Sequence, residues 1–158
     1  MKYTEKQIKE GIKLHLIQND RFKTNLMAIF LTVPLDKKTV TQNAILPAVL
    51  RRVTKNMQTQ EEISIELEEM YGAVFDCGVE KEGDNQILKF YIEVINDEFI
   101  PEEDKGLSKK AIYNLLDIVF NPNIKENVFK IEYVEQEKAN LKHIIEGRTD
   151  NKARYALE

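Results

Sequence analysis

The sequence predicts an α+β domain in which helices pack on a mainly antiparallel sheet. Three observations support this class. Apolar residues alternate with polar ones in several short segments, whereas longer segments place them every three or four positions. Two strand-like segments precede two helix-like ones, and this order occurs twice. The predicted order is therefore strand, strand, helix, helix, strand, strand, helix, helix, and 158 residues are enough for one domain with its own core.

The first two predicted strands lie near the start of the chain. Residues 11–17 alternate in strand fashion and stop at a turn signal over residues 18–20. Residues 25–33 are apolar on both faces and end at Pro34. Because such a pattern is typical of a buried strand, residues 25–33 are predicted to form a central strand that is covered on both sides.

The first two predicted helices follow. One covers residues 40–53 and contains Pro47. Since proline inside a helix costs about 3 kcal/mol, we expect Pro47 near the first turn or at a kink. The other helix begins with a capping box over residues 59–62, Thr-Gln-Glu-Glu, and Gly72 is well placed to end it in the left-handed conformation. Its predicted core-facing stripe is Ile63, Leu67, Met70 and Tyr71.

The second half of the chain has the same order. Residues 73–79 and 86–95 are joined by a short turn, which predicts an antiparallel pair of strands. The acidic residues 97–104 are predicted to form a loop. Helices are then predicted over residues 108–120 and about 125–152. The predicted inward residues of the first of these two helices are Ile112, Leu115, Leu116 and Val119.

Composition argues against several classes of protein. The chain has two His and one Cys, which disfavours a Cys-rich structural zinc site and excludes an internal disulfide. A net charge of −4 without a basic run disfavours nucleic-acid binding. No apolar run is long enough to span a bilayer, and the first residues lack the apolar core of a signal peptide. We therefore expect a soluble cytoplasmic protein that binds neither nucleic acid nor membrane.

Few residues form a pattern typical of a catalytic or metal site. His143 and Glu146 have the spacing of the first and fourth positions of an H-x-x-E-H zinc motif, but Gly147 stands at the fifth. They are interpreted as part of a solvated helix face, and a weak metal site at either residue stays open. Cys77 has no obvious partner base and is interpreted as an inert thiol. The nearby carboxylates are interpreted as ion-pairing groups: Glu132, Glu135 and Glu137.

The order of several short segments is informative although each segment alone is weak. They are residues 11–14, 33–36, 45–55, 61–73 and 120–122. Together they resemble the N-terminal domain of the pitrilysin/insulinase family of zinc peptidases, and above all its short bacterial members. The resemblance covers nearly the whole chain and implies the α+β fold of one such domain.

The resemblance also implies where a zinc site would lie. Family members carry H-x-x-E-H on the first helix, and counting back from residues 61–64 places that motif on residues 46–50. Leu46 and Leu50 then stand at the two His positions, and Val49 stands at the position of the general-base Glu. All three are aliphatic, so neither these ligands nor the base is present.

The second half of the implied site is also altered. In the family, the remaining zinc ligand is a Glu on the final helix, seven positions after another acidic residue. Glu137 matches the earlier acidic residue, and Ile144 falls at the ligand position. Glu146 lies two positions away. We therefore expect no catalytic residues, no metal ligands and no cofactor, although the cofactor of the family is zinc.

The resemblance implies a role without catalysis. The chain is expected to be a structural or peptide-binding partner of an active family member, so its expected partners are an active homologue, an extended peptide, or both. Two alternatives remain: a metallopeptidase completed by a missing domain or partner, and a protein-interaction module. A peptide would add as a strand to the sheet edge formed by Ala73, Val74, Phe75, Asp76, Cys77, Gly78 and Val79.

The resemblance bears on domain organisation as well. Residues 1–156 are expected to form a single peptidase-like N-terminal domain cut from a longer protein, because family members continue with a second related domain. Residues 157–158, Leu-Glu, are interpreted as vector-derived. An apolar face left by the missing domain is expected to let the chain self-associate.

Overall fold

A computed structural model describes residues 1–147, and these residues form an α+β domain with antiparallel sheets, as predicted. The eight predicted elements occur in the predicted order, and three strands are added to them. The strands in this part of the chain are β1 (Lys2–Lys9), β2 (Ile12–Gln18), β3 (Thr24–Pro34), β4 (Val74–Glu82), β5 (Asn85–Ile95), β6 (Ile124–Lys125) and β7 (Val128–Phe129). The α-helices are α1 (Val40–Leu50), α2 (Gln60–Glu69), α3 (Leu107–Phe120) and α4 (Ile131–Gly147).

The centre of the main sheet is β5, not β3. Within the described residues the strand order is β3-β5-β4, and both pairs are antiparallel. The predicted central position of residues 25–33 is therefore wrong. The inner face of β3 packs on the core, but Leu26 and Phe30 on its outer face are 65% and 60% exposed. A run that is apolar on both faces predicts a strand, but it does not show whether another element covers the second face of that strand.

The core lies between the inner face of the sheet and two helices. The side chains of β5 that point inward are all buried: Leu88, Phe90, Ile92 and Val94. α3 packs on them through Ala111, which is fully buried, and through Leu115. Two predicted inward residues of α3, Ile112 and Leu116, are exposed instead. Leu115 and Val119 are buried as predicted. The full buried stripe of α3 consists of Leu107, Ala111, Leu115, Ile118 and Val119.

α1 contains Pro47 in its last turn, so the expected place near the first turn is wrong. Proline lacks the N–H that would bond to the carbonyl four residues earlier, which is a cost inside a helix. The Asn43 carbonyl therefore lacks this bond, whereas the amide of Arg51 bonds normally to the Pro47 carbonyl at 3.1 Å. Burial of the ring, which is less than 2% exposed, opposes this cost.

α2 is built largely as predicted. Thr59 and Glu62 form the capping box, and Ile63 and Met70 are buried. Tyr71 does not belong to the core stripe, because the helix has ended before it. Tyr71 and Gly72 both have positive φ, at 60° and 71°, and this turn directs the Tyr71 side chain into solvent.

Two other predicted regions differ in detail. The acidic loop contains two short 3₁₀ turns, Asp97–Phe99 and Glu102–Asp104, and the Asp97 carboxylate accepts the Leu107 amide at the start of α3 at 2.9 Å. α4 begins at Ile131 rather than near residue 125, because the small β6–β7 hairpin precedes it. The predicted end of α4 at residue 152 lies outside the described residues, as do residues 153–158.

β1 and β2 form an antiparallel hairpin that is separate from the three-stranded sheet. β2 corresponds to the predicted first strand, whereas β1 was not predicted. Every residue of both strands is exposed. One face of the hairpin carries Ile12, Leu14 and Leu16 of β2 beside Thr4 and Lys6 of β1, and the other carries Tyr3 hydrogen-bonded to His15. No helix among residues 1–147 is long and apolar enough to cross a membrane.

The position of Phe90 predicts a large effect of its removal. We expect Phe90→Ala to lower the free energy of unfolding by about 3–5 kcal/mol, because the ring is fully buried at the centre of the core. The measurement is urea unfolding followed by circular dichroism. Phe30→Ala is the matched control, since this ring lies on the exposed face of the neighbouring strand. It should cost less than about 1 kcal/mol, and equal losses for the two variants would contradict the assigned core.

Candidate functional site

The three aliphatic positions of the implied zinc motif lie on α1, which contacts both α4 and β4. Gln86 in β5 anchors the start of this helix by donating to the Val40 carbonyl at 3.1 Å. Val49 and Leu50 are 5% and 4% exposed, and Leu46 packs partly buried against the core. The side chains at these positions therefore contribute to packing.

The residues at this place do not fit a zinc ion. Zinc in peptidases is held by imidazole and carboxylate groups, whereas the side chains of Leu46, Val49 and Leu50 have no donor atom. Residues 1–147 contain no group of three or more His, Cys, Asp and Glu side chains placed to hold a metal. No catalytic step through zinc can be derived from this arrangement.

Glu137, the surviving acidic position on α4, lies at the end of α1 and pairs with Arg52. Arg52 Nε donates to Glu137 Oε1 at 2.5 Å, and a second guanidinium nitrogen contacts the same oxygen. The two side chains are only 16% and 11% exposed. Glu137 therefore serves to join α4 to α1, and its carboxylate is engaged by a cation of the chain itself.

The loop after α1 holds Arg52 in place. Thr54 is fully buried, and its hydroxyl oxygen accepts the amides of Asn56 and Met57 at 3.1 and 2.8 Å. Thr54 also forms a β-bridge with Pro122, which follows α3. These bonds satisfy the backbone of a loop that lies against the core, and they fix the direction in which the chain leaves α1.

Cys77 lies on β4 beside α1. Its Sγ donates to the Pro47 carbonyl at 3.4 Å. Burial raises the pKa of the Cys77 thiol to about 11, and the nearby guanidinium of Arg51 opposes this shift only in part. A neutral thiol is a poor nucleophile, which agrees with the interpretation of Cys77 as inert.

β4 is an edge of the main sheet, with β5 as its one partner strand in the part of the chain that the structure describes. The Cys77 amide bonds to Asp76 Oδ1 at 2.8 Å and so points away from β5. Because N–H groups alternate in direction along a strand, those of Phe75 and Val79 also point to the free edge. Ala73 lies before the strand, and its amide bonds to the Leu67 carbonyl at 2.9 Å.

The structure brings three of the features noted in the sequence together at the end of α1, and it places both histidines elsewhere. The aliphatic positions of α1, Cys77 of β4 and Glu137 of α4 meet at the end of α1. His143 and Glu146 are exposed on α4, where Glu146 lies 3.8 Å from Lys142, and His15 is on the separate hairpin. Sequence analysis missed Arg51 and Arg52, although two cations at a helix end are a recognisable signal.

Two surface grooves lie elsewhere on the molecule. One, of about 500 Å³, is formed by α3 and the loop after α1, and includes Tyr113 and Asp117. The other, of about 470 Å³, lies at the base of the β1–β2 hairpin. Neither of them is lined by a residue of α1 or β4. The end of α1 is a packed surface next to an open strand edge, a geometry that suits an extended chain better than a small molecule.

The chain is similar in sequence to a bacterial protein. The chain is 32% identical over 146 residues to a protein of Bacillus subtilis (strain 168) described as "Probable inactive metalloprotease YmfF". The alignment covers 92% of this chain and 34% of the relative, so the chain spans about a third of the relative's length. No family model matches the chain.

A solved structure has the same fold. The crystal structure of a conserved protein from Enterococcus faecalis V583 matches 98% of this chain with a TM-score of 0.89 and 28% sequence identity. The match covers 36% of that protein. Both comparisons therefore place this domain within a longer polypeptide in the related proteins.

The Arg52–Glu137 ion pair predicts a measurable loss of stability when one partner is removed. We expect Glu137→Gln to lower the free energy of unfolding by about 2 kcal/mol, because Arg52 is left charged and mostly desolvated. Glu135→Gln is the control, since Glu135 pairs with Lys138 at 2.6 Å but is 60% exposed. It should change stability by less than about 0.5 kcal/mol. If urea unfolding gave the same loss for both, Glu137 would not be the link between α1 and α4.

The raised pKa of the Cys77 thiol predicts that stability and the rate of alkylation depend on pH. Its pKa is raised from 9.0 to about 11 in the folded state, so burial of the neutral thiol contributes stability below pH 9 that is lost as the pH rises towards 11. Alkylation of the native protein by iodoacetamide should therefore be slow at pH 8 and rise with a midpoint near pH 11. The guanidinium-unfolded chain provides the reference, with a midpoint near 9. Coincident midpoints would contradict burial of Cys77.

Proposed function

We propose that this chain is a non-catalytic zinc-peptidase homologue of the pitrilysin/insulinase type. In this proposal it contributes structure or peptide binding to an assembly with an active relative. The observation that carries the proposal is the packing of Leu46, Val49 and Leu50 into the core at the positions of two zinc ligands and the general base. The Bacillus relative, described as "Probable inactive metalloprotease YmfF", supports the same interpretation.

Peptide binding is assigned to the free edge of β4. An extended peptide that adds to an edge gains main-chain hydrogen bonds and needs no enclosed pocket. Three amides of β4 point towards this edge, namely those of Phe75, Cys77 and Val79. In the free protein the Asp76 carboxylate accepts the Cys77 amide. The edge lies beside α1, where an active relative would hold its metal, so a bound peptide passes the degenerate site.

The remaining parts of the proposal concern the whole protein. We assign the chain to the N-terminal domain of a longer polypeptide, and the coverage of 34% and 36% of the two relatives supports this. An active homologue is the proposed partner. The cytoplasm is the proposed compartment, because a reducing environment keeps a free thiol such as Cys77 reduced.

The test is peptide binding without hydrolysis. We expect a pool of uncharged dodecapeptides to slow hydrogen exchange of the amides in β4, with no cleavage products by mass spectrometry and no zinc retained after dialysis. Val79→Pro should weaken binding about tenfold, because it removes one amide that faces the edge. Val79→Thr keeps that amide and should bind within about twofold of the parent.

Two results would overturn the proposal. One zinc per chain together with chelator-sensitive cleavage would identify an active metallopeptidase completed by ligands from elsewhere. Absence of any peptide binding, with the fold intact by circular dichroism, would instead leave a module that binds folded partners through another surface.

A further inference from the structure

We propose that Arg51 makes the β4 edge select peptides that place a carboxylate beside the end of α1. This inference rests on the proposed peptide binding at β4 and adds the chemical class of the ligand. It starts from the position of Arg51, the first residue after α1. The Arg51 amide and the Cys77 thiol donate to the same acceptor, the Pro47 carbonyl, at 3.1 and 3.4 Å. Arg51 therefore lies directly beside the middle of the edge strand.

Arg51 is a cation of this region that has no carboxylate partner among residues 1–147. Arg52 is paired with Glu137. On the outer face of β4, Glu80 is paired with Lys89 at 2.6 Å. Arg51 is exposed, and among residues 1–147 no carboxylate oxygen lies within ion-pair distance of its guanidinium.

Asp76, the acidic residue next to Cys77 on the edge strand, is engaged in other bonds. Asp76 accepts the Cys77 amide at 2.8 Å through one oxygen and the Tyr91 hydroxyl at 2.9 Å through the other. Asp76 lies on the outer face of the sheet, whereas Cys77 faces α1. Among the described residues, the guanidinium of Arg51 thus interacts with the neutral Cys77 thiol but with no carboxylate, although the chain as a whole has a net charge of −4.

The geometry of strand addition determines which part of a peptide Arg51 would meet. A peptide residue paired directly with Cys77 points its side chain to the same face, with the two Cβ atoms about 5 Å apart. That face is the one that α1 covers, so the peptide side chain lies next to Arg51. A guanidinium binds a carboxylate through two parallel hydrogen bonds and cannot form this pair with an amide.

Two sources of carboxylate fit this chemistry, namely an acidic side chain within a strand and the C-terminus of a peptide. Both would be recognised by the same guanidinium. An acidic side chain could be bound anywhere along an extended peptide, whereas a terminal carboxylate would require the peptide to end beside Cys77. The peptides of the test separate these sources.

The experiment measures affinities of three fluorescent dodecapeptides by anisotropy at low salt. One has a central Glu and an amidated C-terminus, the second has Gln in place of that Glu, and the third has the Gln and a free C-terminus. The protein variants are the parent, Arg51→Gln and Arg51→Lys. The control is Arg21→Gln, which removes an exposed cation from the loop between β2 and β3.

The expected result is a preference that depends on Arg51. The parent and Arg21→Gln should bind a carboxylate peptide about fivefold more tightly than the Gln peptide with an amidated end, and this ratio should fall with salt. The ratio should fall to about one in Arg51→Gln and to an intermediate value in Arg51→Lys, which keeps the charge but loses the paired geometry. A preference for the Glu peptide indicates a side-chain ligand, and a preference for the free C-terminus indicates a terminal one.

Failure of this inference can be told apart from failure of the proposed function. Equal binding of all three peptides by the parent, or a preference that survives in Arg51→Gln, would overturn the role of Arg51 and leave peptide binding intact. Binding of none of them by a folded parent protein would overturn both.

Discussion

The burial of the inner face of β5 is the constraint on which the rest of the structure depends. This strand is paired on both sides, and its alternate side chains fill the centre of the core. α3 must present a small residue, Ala111, to lie close to it, and α1 must present aliphatic residues. The positions of both helices, of the β4 edge and of the loop after α1 all follow from this one packed layer.

This constraint explains how the domain keeps its fold without the residues of a metal site. A ligand set on α1 would place imidazole and carboxylate groups where Val49 and Leu50 now pack, and buried polar groups are costly unless they are bonded. Aliphatic residues remove that cost. The Arg52–Glu137 pair joins α4 to α1 through an ion pair of the chain itself.

Much of this architecture could be predicted from the sequence because local signals and tertiary packing agree. The capping box of α2 and the alternation of β5 are examples. The failures have physical causes. β1 alternates without a continuous apolar face, Pro47 lies inside α1 with its ring buried, and the outer face of β3 is apolar but exposed. The implied zinc positions rest on resemblance alone, whereas Arg51 became informative only when its neighbours on β4 were known.

The β1–β2 hairpin divides the domain into parts of unequal cooperativity. Its backbone bonds are internal to the two strands, and none of its side chains is buried in the core. Opening the hairpin therefore exposes little apolar surface beyond what is already in water, and its local free energy of opening is much smaller than that of global unfolding. The hairpin is therefore expected to open while β5 and α3 remain closed, and a contact that covers its apolar residues would couple the two parts.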